Sequence, residues 1–300
     1  MTKIHKHQIL FIIFSLVIIF ICSTYGIKIM NTFSFKSSDS SILIIFISLT
    51  LIGTIGVAHG ALDGKIIWKH SVHIKTRLKL YFLYIFLTLG GALLWFFYPF
   101  YGLMLLLAMS SVHFGVSDLQ FIEEMSIVPK IFWGIVMTFL PLLFNPNLVN
   151  TLFFDLTQVS IYFEVLVAIK IIILICMLSF FINLYLIGKN RKKIGKNFYE
   201  LNILSFEMLV LVCLAYYLNP LIWFAIYFCG LHGIRALINQ EFKIVPDILW
   251  LAVFTAPVST IIFLFEWDYN FKSLLVIFPV LASLTIAHML LPRLRKLIKP

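Results

Sequence analysis

Charge is what this chain most lacks. Asp, Glu, Lys and Arg together make up 12% of its 300 residues, about half the share in a soluble domain. Acidic residues are scarcer still, 13 against 23 basic ones. A water-soluble fold could not hide 62% apolar residues, because burial is limited by surface-to-volume scaling. Lipid is therefore the expected solvent. Cysteine is also sparse: Cys22, Cys176, Cys213 and Cys229 all sit in apolar runs and form no C-x-x-C pair, which argues against a disulfide frame or a thiolate zinc site. There is no internal repeat and no low-complexity segment. The net charge of +10 does not indicate nucleic acid, since the cations fall between apolar runs rather than on one basic face.

What the chain does have is long apolar runs. A bilayer helix needs roughly 20 such residues, and ten runs qualify, at about 8–27, 41–62, 80–98, 101–122, 129–146, 161–187, 201–218, 220–240, 246–265 and 272–292. The expected fold is all-α: one polytopic membrane helical bundle, residues 1–300, with about ten transmembrane helices. Tyr98-Pro99-Phe100 and Asn219-Pro220 are expected to break the chain into tight turns, because proline lacks an N–H and restricts the residue before it. With a cytoplasmic N-terminus and ten spans, nineteen Lys and Arg fall inside and only Lys28, Lys36 and Lys272 outside. That asymmetry follows the positive-inside rule and puts both termini in the cytoplasm. The run from Lys189 to Lys196 reads as a cytoplasmic loop.

Four of eight histidines, His59, His113, His232 and His288, fall inside expected spans, where ionisable residues are rare and functional. They lie on spans two, four, eight and ten, all at similar depth near the cytoplasmic ends, so four imidazoles could converge on one metal ion. His5, His7, His70 and His73 lie in the N-terminal tail or the second cytoplasmic loop and receive no role. Asp63 follows His59 by four residues, on one helical face, and Asp118 follows His113 by five, a poorer match. Either carboxylate could accept the second imidazole N–H and fix ring orientation, as residues behind a metal ligand do. Glu207 could balance Arg235 or orient a histidine. Imidazole ligands alone suit Zn, Cu, Fe or Ni.

Taken together, A-H59-G-A-L-D63, S-V-H113-F-G-V-S-D118, Y-F-C-G-L-H232-G-I-R235 and S-L-T-I-A-H288-M resemble the Brp/Blh family of membrane-bound β-carotene dioxygenases, in order and over most of the chain. The resemblance implies an Fe(2+) enzyme of the bacterial or archaeal inner membrane. It would split β-carotene with O2 at the central double bond into all-trans-retinal, with a functional link to a microbial rhodopsin. It makes His59, His113 and His232 iron ligands and His288 a fourth. It also shows a departure, since the family's third motif has a second histidine where this chain has Ala236, and its first motif commonly continues Asp-His where this chain has Asp63-Gly64. A lipid-soluble carotenoid would need an apolar slot, for which Phe114, Trp223, Phe224, Tyr227 and Phe228 are the expected lining.

Two other readings stay open on sequence alone. A transporter with a histidine relay would spread its histidines in depth and interrupt helices near the midplane. An inactive family member serving a rhodopsin as a structural partner would carry no metal.

Overall fold

The computed structural model describes residues 2–24, 47–48, 50–56, 60–193, 198–264 and 272–298, all helical or irregular, with no strand among the described residues. In chain order the helices are α1 (Lys3–Thr24), α2 (Asp63–His70), α3 (Ile74–Phe97), α4 (Pro99–Asp118), α5 (Ile127–Phe139), α6 (Pro141–Phe144), α7 (Pro146–Thr157), α8 (Phe163–Lys193), α9 (Tyr199–Tyr217), α10 (Pro220–Asn239), α11 (Ile244–Leu264) and α12 (Lys272–Leu297). Two stretches, Ile52–Gly56 and Ile226–Gly233 within α10, are wound as π-helix.

Six of the described helices, α1, α3, α4, α8, α9 and α10, are long and apolar enough to cross a membrane. Helix α3 shows why lipid must surround them. Phe82, Ile85, Phe86, Leu89, Leu93 and Phe96 are all exposed, while only Leu80 and Trp95 on that helix are buried. In water such a surface would be an aggregation site. Part of the expected second span, 41–46, 49 and 57–59, falls outside the described residues. The expected fifth, 129–146, is a 13-residue helix followed by two short ones, because Pro141 and Pro146 each restart the chain. Thirteen residues rise only about 20 Å, less than the hydrocarbon thickness of about 30 Å. The basic residues from Lys189 to Lys193 continue α8 rather than forming a loop.

Proline sets the helix starts. Pro99, Pro141, Pro146 and Pro220 each open a helix, where the missing N–H costs no bond and the fixed φ is already helical. Both expected breaks are present. Tyr98 leaves helical geometry at φ −140°, ψ 67°, and the Asn219 side chain accepts the Leu221 N–H to cap α10.

The chain forms two compact units, one from Met1–Phe33, Ser110–Phe154 and Val159–Ile238, the other from Ser34–Met109, Asp155–Gln158 and Asn239–Pro300. In the first, α1 packs along α9, and α8 along α5. Here α4 and α5 meet backbone to backbone: a methyl group at Gly115 would overlap the Lys130 carbonyl, and one at Gly134 the Ser111 carbonyl. Small residues permit such close helix contact in membranes. In the second unit α12 packs along α3, and Ile67, Leu80 and Leu291 form a buried cluster.

Gly115→Val and Gly134→Val are each expected to cost about 1–3 kcal/mol or more through overpacking, read as a lowered Tm of the detergent-solubilised protein. Gly90→Ala, whose added methyl meets nothing within 4 Å, should leave Tm unchanged or raise it.

Candidate metal centre

The π winding of α10 decides which of its side chains share a face. In an α-helix, residues five apart are separated by about 500° of rotation and point away from each other. A π-helix pairs residue i with i+5, so Tyr227 and His232 come round to the same side. Both then reach one carboxylate. The His232 Nδ1–H donates to Asp118 Oδ1 at 2.7 Å, and the Tyr227 hydroxyl donates to Oδ2 at 2.7 Å. Trp133 on α5 supplies a third donor, Nε1–H to Oδ2 at 3.0 Å, and Arg235 donates to the Asp118 backbone carbonyl at 3.2 Å. Asp118, His232 and Arg235 are all fully or almost fully buried.

A carboxylate accepts and does not donate, so its bond to Nδ1 places a proton there, and in the neutral ring the lone pair of His232 is then on Nε2. Asp118 thus serves a histidine on another helix, not His113 five residues before it. The His113 ring instead stands edge-on to the His232 ring, centroids 5.2 Å apart. Phe114 packs against His232 at 4.8 Å, and Phe228 stacks on it at 5.7 Å and 15°. Two columns of rings run up the helix from there, Trp223 on Tyr227 and Phe224 on Phe228.

Beside this cluster lies a buried ion pair. Arg235 is bonded to Glu207 of α9, whose other oxygen accepts from Gln8 of α1 at 3.2 Å. Of the two roles open to Glu207, balancing Arg235 is therefore the one present.

In the second unit Asp63 binds the Nδ1–H of His288 at 2.8 Å and the Tyr84 hydroxyl at 3.0 Å. The arrangement repeats that of Asp118: a carboxylate at a helix end, a tyrosine hydroxyl, and the Nδ1 of a histidine from a distant helix. Gly60 lies beside the same imidazole, within van der Waals range of an added methyl. His59 itself falls outside the described residues.

The structure therefore brings together His113, His232, Asp118, Arg235 and Glu207 in one unit, and Asp63 with His288 in the other. Sequence reasoning missed Tyr84, Trp133 and the Tyr227 hydroxyl, because partners on other helices carry no spacing signal. It also misplaced His7 in the N-terminal tail. His7 lies within α1, is 8% exposed, and donates from Nε2 to the Gly230 carbonyl at 2.8 Å. A polar Gln8 at the start of an apolar run was the one visible hint that this end of α1 is buried. His70 ends α2 and donates to the Ile298 carbonyl at 2.9 Å; it too is part of the fold rather than a loop.

Among the described residues no three His, Cys, Asp or Glu side chains are close enough to hold a metal ion. The donor chemistry of the His113–His232 pair nonetheless fits one. Metal-binding imidazoles commonly have a carboxylate behind the other ring nitrogen, and Asp118 stands in that position.

The fold and the site define an all-helical membrane protein with buried, carboxylate-backed histidines. The family model for beta-carotene 15,15'-dioxygenase matches residues 50–294, and the chain belongs to that family. A relative described as beta-carotene 15,15'-dioxygenase, from an uncultured marine bacterium, 66A03, is 32% identical over 200 residues, covering 64% of this chain and 68% of the relative. No solved structure matches the chain.

Removing Glu207 alone strands a buried guanidinium, which typically costs about 3–5 kcal/mol. Glu207→Leu should therefore lower Tm sharply, while Glu207→Leu with Arg235→Leu should recover much of the loss. Thermal unfolding followed by tryptophan fluorescence measures both.

Proposed function

We propose that the protein is an Fe(II)-dependent carotenoid oxygenase that splits β-carotene at its central double bond to give two molecules of all-trans-retinal. The observation that supports this most is the His113–His232 ring pair with Asp118 behind it, in a chain of the beta-carotene 15,15'-dioxygenase family. The reaction balances without a reductant: one C=C bond breaks, each carbon takes one oxygen atom of O2, and two aldehydes result.

His113 and His232 would hold the iron, with His59 and His288 as the further imidazoles that the resemblance implies. Bound iron supplies the redox chemistry that lets O2 react with an alkene. The chain's own residues do the rest. Asp118 keeps the proton of His232 on Nδ1 and so presents Nε2 as the donor. Tyr227 and Trp133 hold that carboxylate still, and a fixed carboxylate fixes the ring. Arg235 and Glu207 place a neutral pair, rather than a lone charge, beside the site. Phe228 covers one face of His232 and Phe114 meets the ring edgewise, and both keep water away from it.

The substrate is a hydrocarbon, so recognition rests on shape and apolar contact. Phe224, Phe228 and His232 lie nearly parallel in one column, and this column is the proposed wall for the polyene. Phe114, Trp223 and Tyr227 back it. Trp223 also donates to the Leu211 carbonyl at 3.0 Å, which holds it in the wall. A bilayer location delivers such a substrate without a passage through water.

Expressed in bacteria that make β-carotene, the protein should yield retinal and purify with iron. His113→Ala and His232→Ala should each abolish retinal formation, and Asp118→Asn should lower metal affinity by about 10–100-fold. Unchanged carotene in a well-expressed wild-type sample would refute the reading; pigment extraction and metal analysis provide the two measurements.

A further inference from the structure

The match to the family model begins at residue 50, so α1 lies outside it. Yet the first two turns of α1 reach the residues around His232. His7 and Gln8 are adjacent in sequence and both buried, at 8% and 0% exposure. Gln8 donates to Glu207, the partner of Arg235. His7 donates to the carbonyl of Gly230, inside the π-wound stretch and two residues before His232. Phe11, one turn further along α1, lies against Gly230 at a distance that a methyl there would just fill.

The π winding needs such support. A π stretch is a departure from the stable i→i−4 ladder and persists only where the surroundings favour it. At its exit the Ile234 N–H bonds the Leu231 carbonyl, not that of Gly230 as an α-helix would require. The Gly230 carbonyl, which is part-buried, has thereby lost its α-helical donor. His7 supplies an N–H to it. Were the stretch to relax to α-helix, Tyr227 and His232 would no longer share a face, and Asp118 could not hold both.

We propose that His7 and Gln8 are positioning residues for the histidine site. His7 secures the π winding through the Gly230 carbonyl, and Gln8 steadies the Glu207–Arg235 pair, so that α1, which precedes the matched residues, sets the aim of the His232 ring. The proposal rests on the reading of His232 as a metal ligand only in its last link; the support of the π stretch by His7 stands apart from it.

The test uses the full chain in detergent, comparing wild type, His7→Leu, which removes the donor, and His7→Gln, which restores a side-chain N–H. Hydrogen–deuterium exchange is followed for peptides covering 226–239, and Co(II) alone is titrated as a probe of imidazole ligation. In His7→Leu, exchange across this stretch should rise by about fivefold, as expected for losing one hydrogen bond. Co(II) should bind about tenfold more weakly. His7→Gln should return both toward wild type while its Tm matches that of His7→Leu. Unchanged exchange in His7→Leu overturns the proposal, as does equal damage in both variants, which would mean simple packing. Altered exchange with unaltered Co(II) affinity overturns the link to His232. If wild type itself binds no Co(II), the metal reading fails, while the exchange data still decide whether His7 supports the π stretch.

Discussion

A carboxylate taken out of water must be surrounded by donors, and Asp118 is surrounded by donors from two other helices. His232 and Tyr227 come from α10 and Trp133 comes from α5. Each of these donors is itself fixed by packing, Trp133 against Phe180 of α8 and Tyr227 against Trp223. A buried polar network of this kind is stabilising only when its members are satisfied, so the orientation of each helix constrains the others. The glycine contact between α4 and α5 follows from the same requirement. Trp133 can reach Asp118 because Gly115 and Gly134 let the two backbones touch. The π winding of α10 follows as well, since only that geometry turns Tyr227 and His232 to a common acceptor.

The Asp63 cluster shows the same solution built from different elements. Its carboxylate sits on the first residue of α2 and Asp118 on the last residue of α4, and each binds a tyrosine hydroxyl together with a histidine Nδ1. In both, the histidine comes from far along the chain. Two independent recurrences of one hydrogen-bond pattern argue against accident. Membrane interiors offer few polar partners, and a Tyr–Asp–His set satisfies three polar groups at once. Neither cluster is a repeat at the level of sequence, because Tyr227 and His232 share one helix whereas Tyr84 and His288 come from two.

Helix positions, proline breaks and the identities of the polar residues were legible in the sequence, since each depends on local composition. Pro99 and Pro220 marked real breaks for that reason, and Pro141 was overlooked because the apolar run continues through it. Pairings were not legible. Asp63 binds His288, 225 positions away, a pairing that no spacing announces; His59, four residues before Asp63, lies outside the described residues. The π stretch was equally hidden: nothing in I-Y-F-C-G-L-H-G announces a change in winding, which arises from what Asp118 and His7 require of it. Buried histidines outside an apolar run, such as His7, escape any rule that ranks residues by their own surroundings in sequence.

The same logic bears on Ala236, where the family pattern has a second histidine. A residue four after His232 in an α-helix would place its side chain on nearly the same face, adding an imidazole to the one that Asp118 orients. Ala236 is buried at 5% exposure, so a methyl is packed there and no solvent takes the missing ring's place. Arg235 beside it is bonded to Glu207 and the Asp118 carbonyl. Helix α10 therefore offers a single imidazole. Under the proposed reading, a metal held by His232 would have one fewer nitrogen donor from this helix and one more open position. Open positions favour O2 and substrate access but weaken retention of the ion, because each imidazole contributes to affinity. A chain with fewer ligands depends more heavily on how rigidly the remaining ones are aimed. That dependence gives physical sense to a helix, α1, whose first turns grip the Gly230 carbonyl and the ion pair on either side of His232.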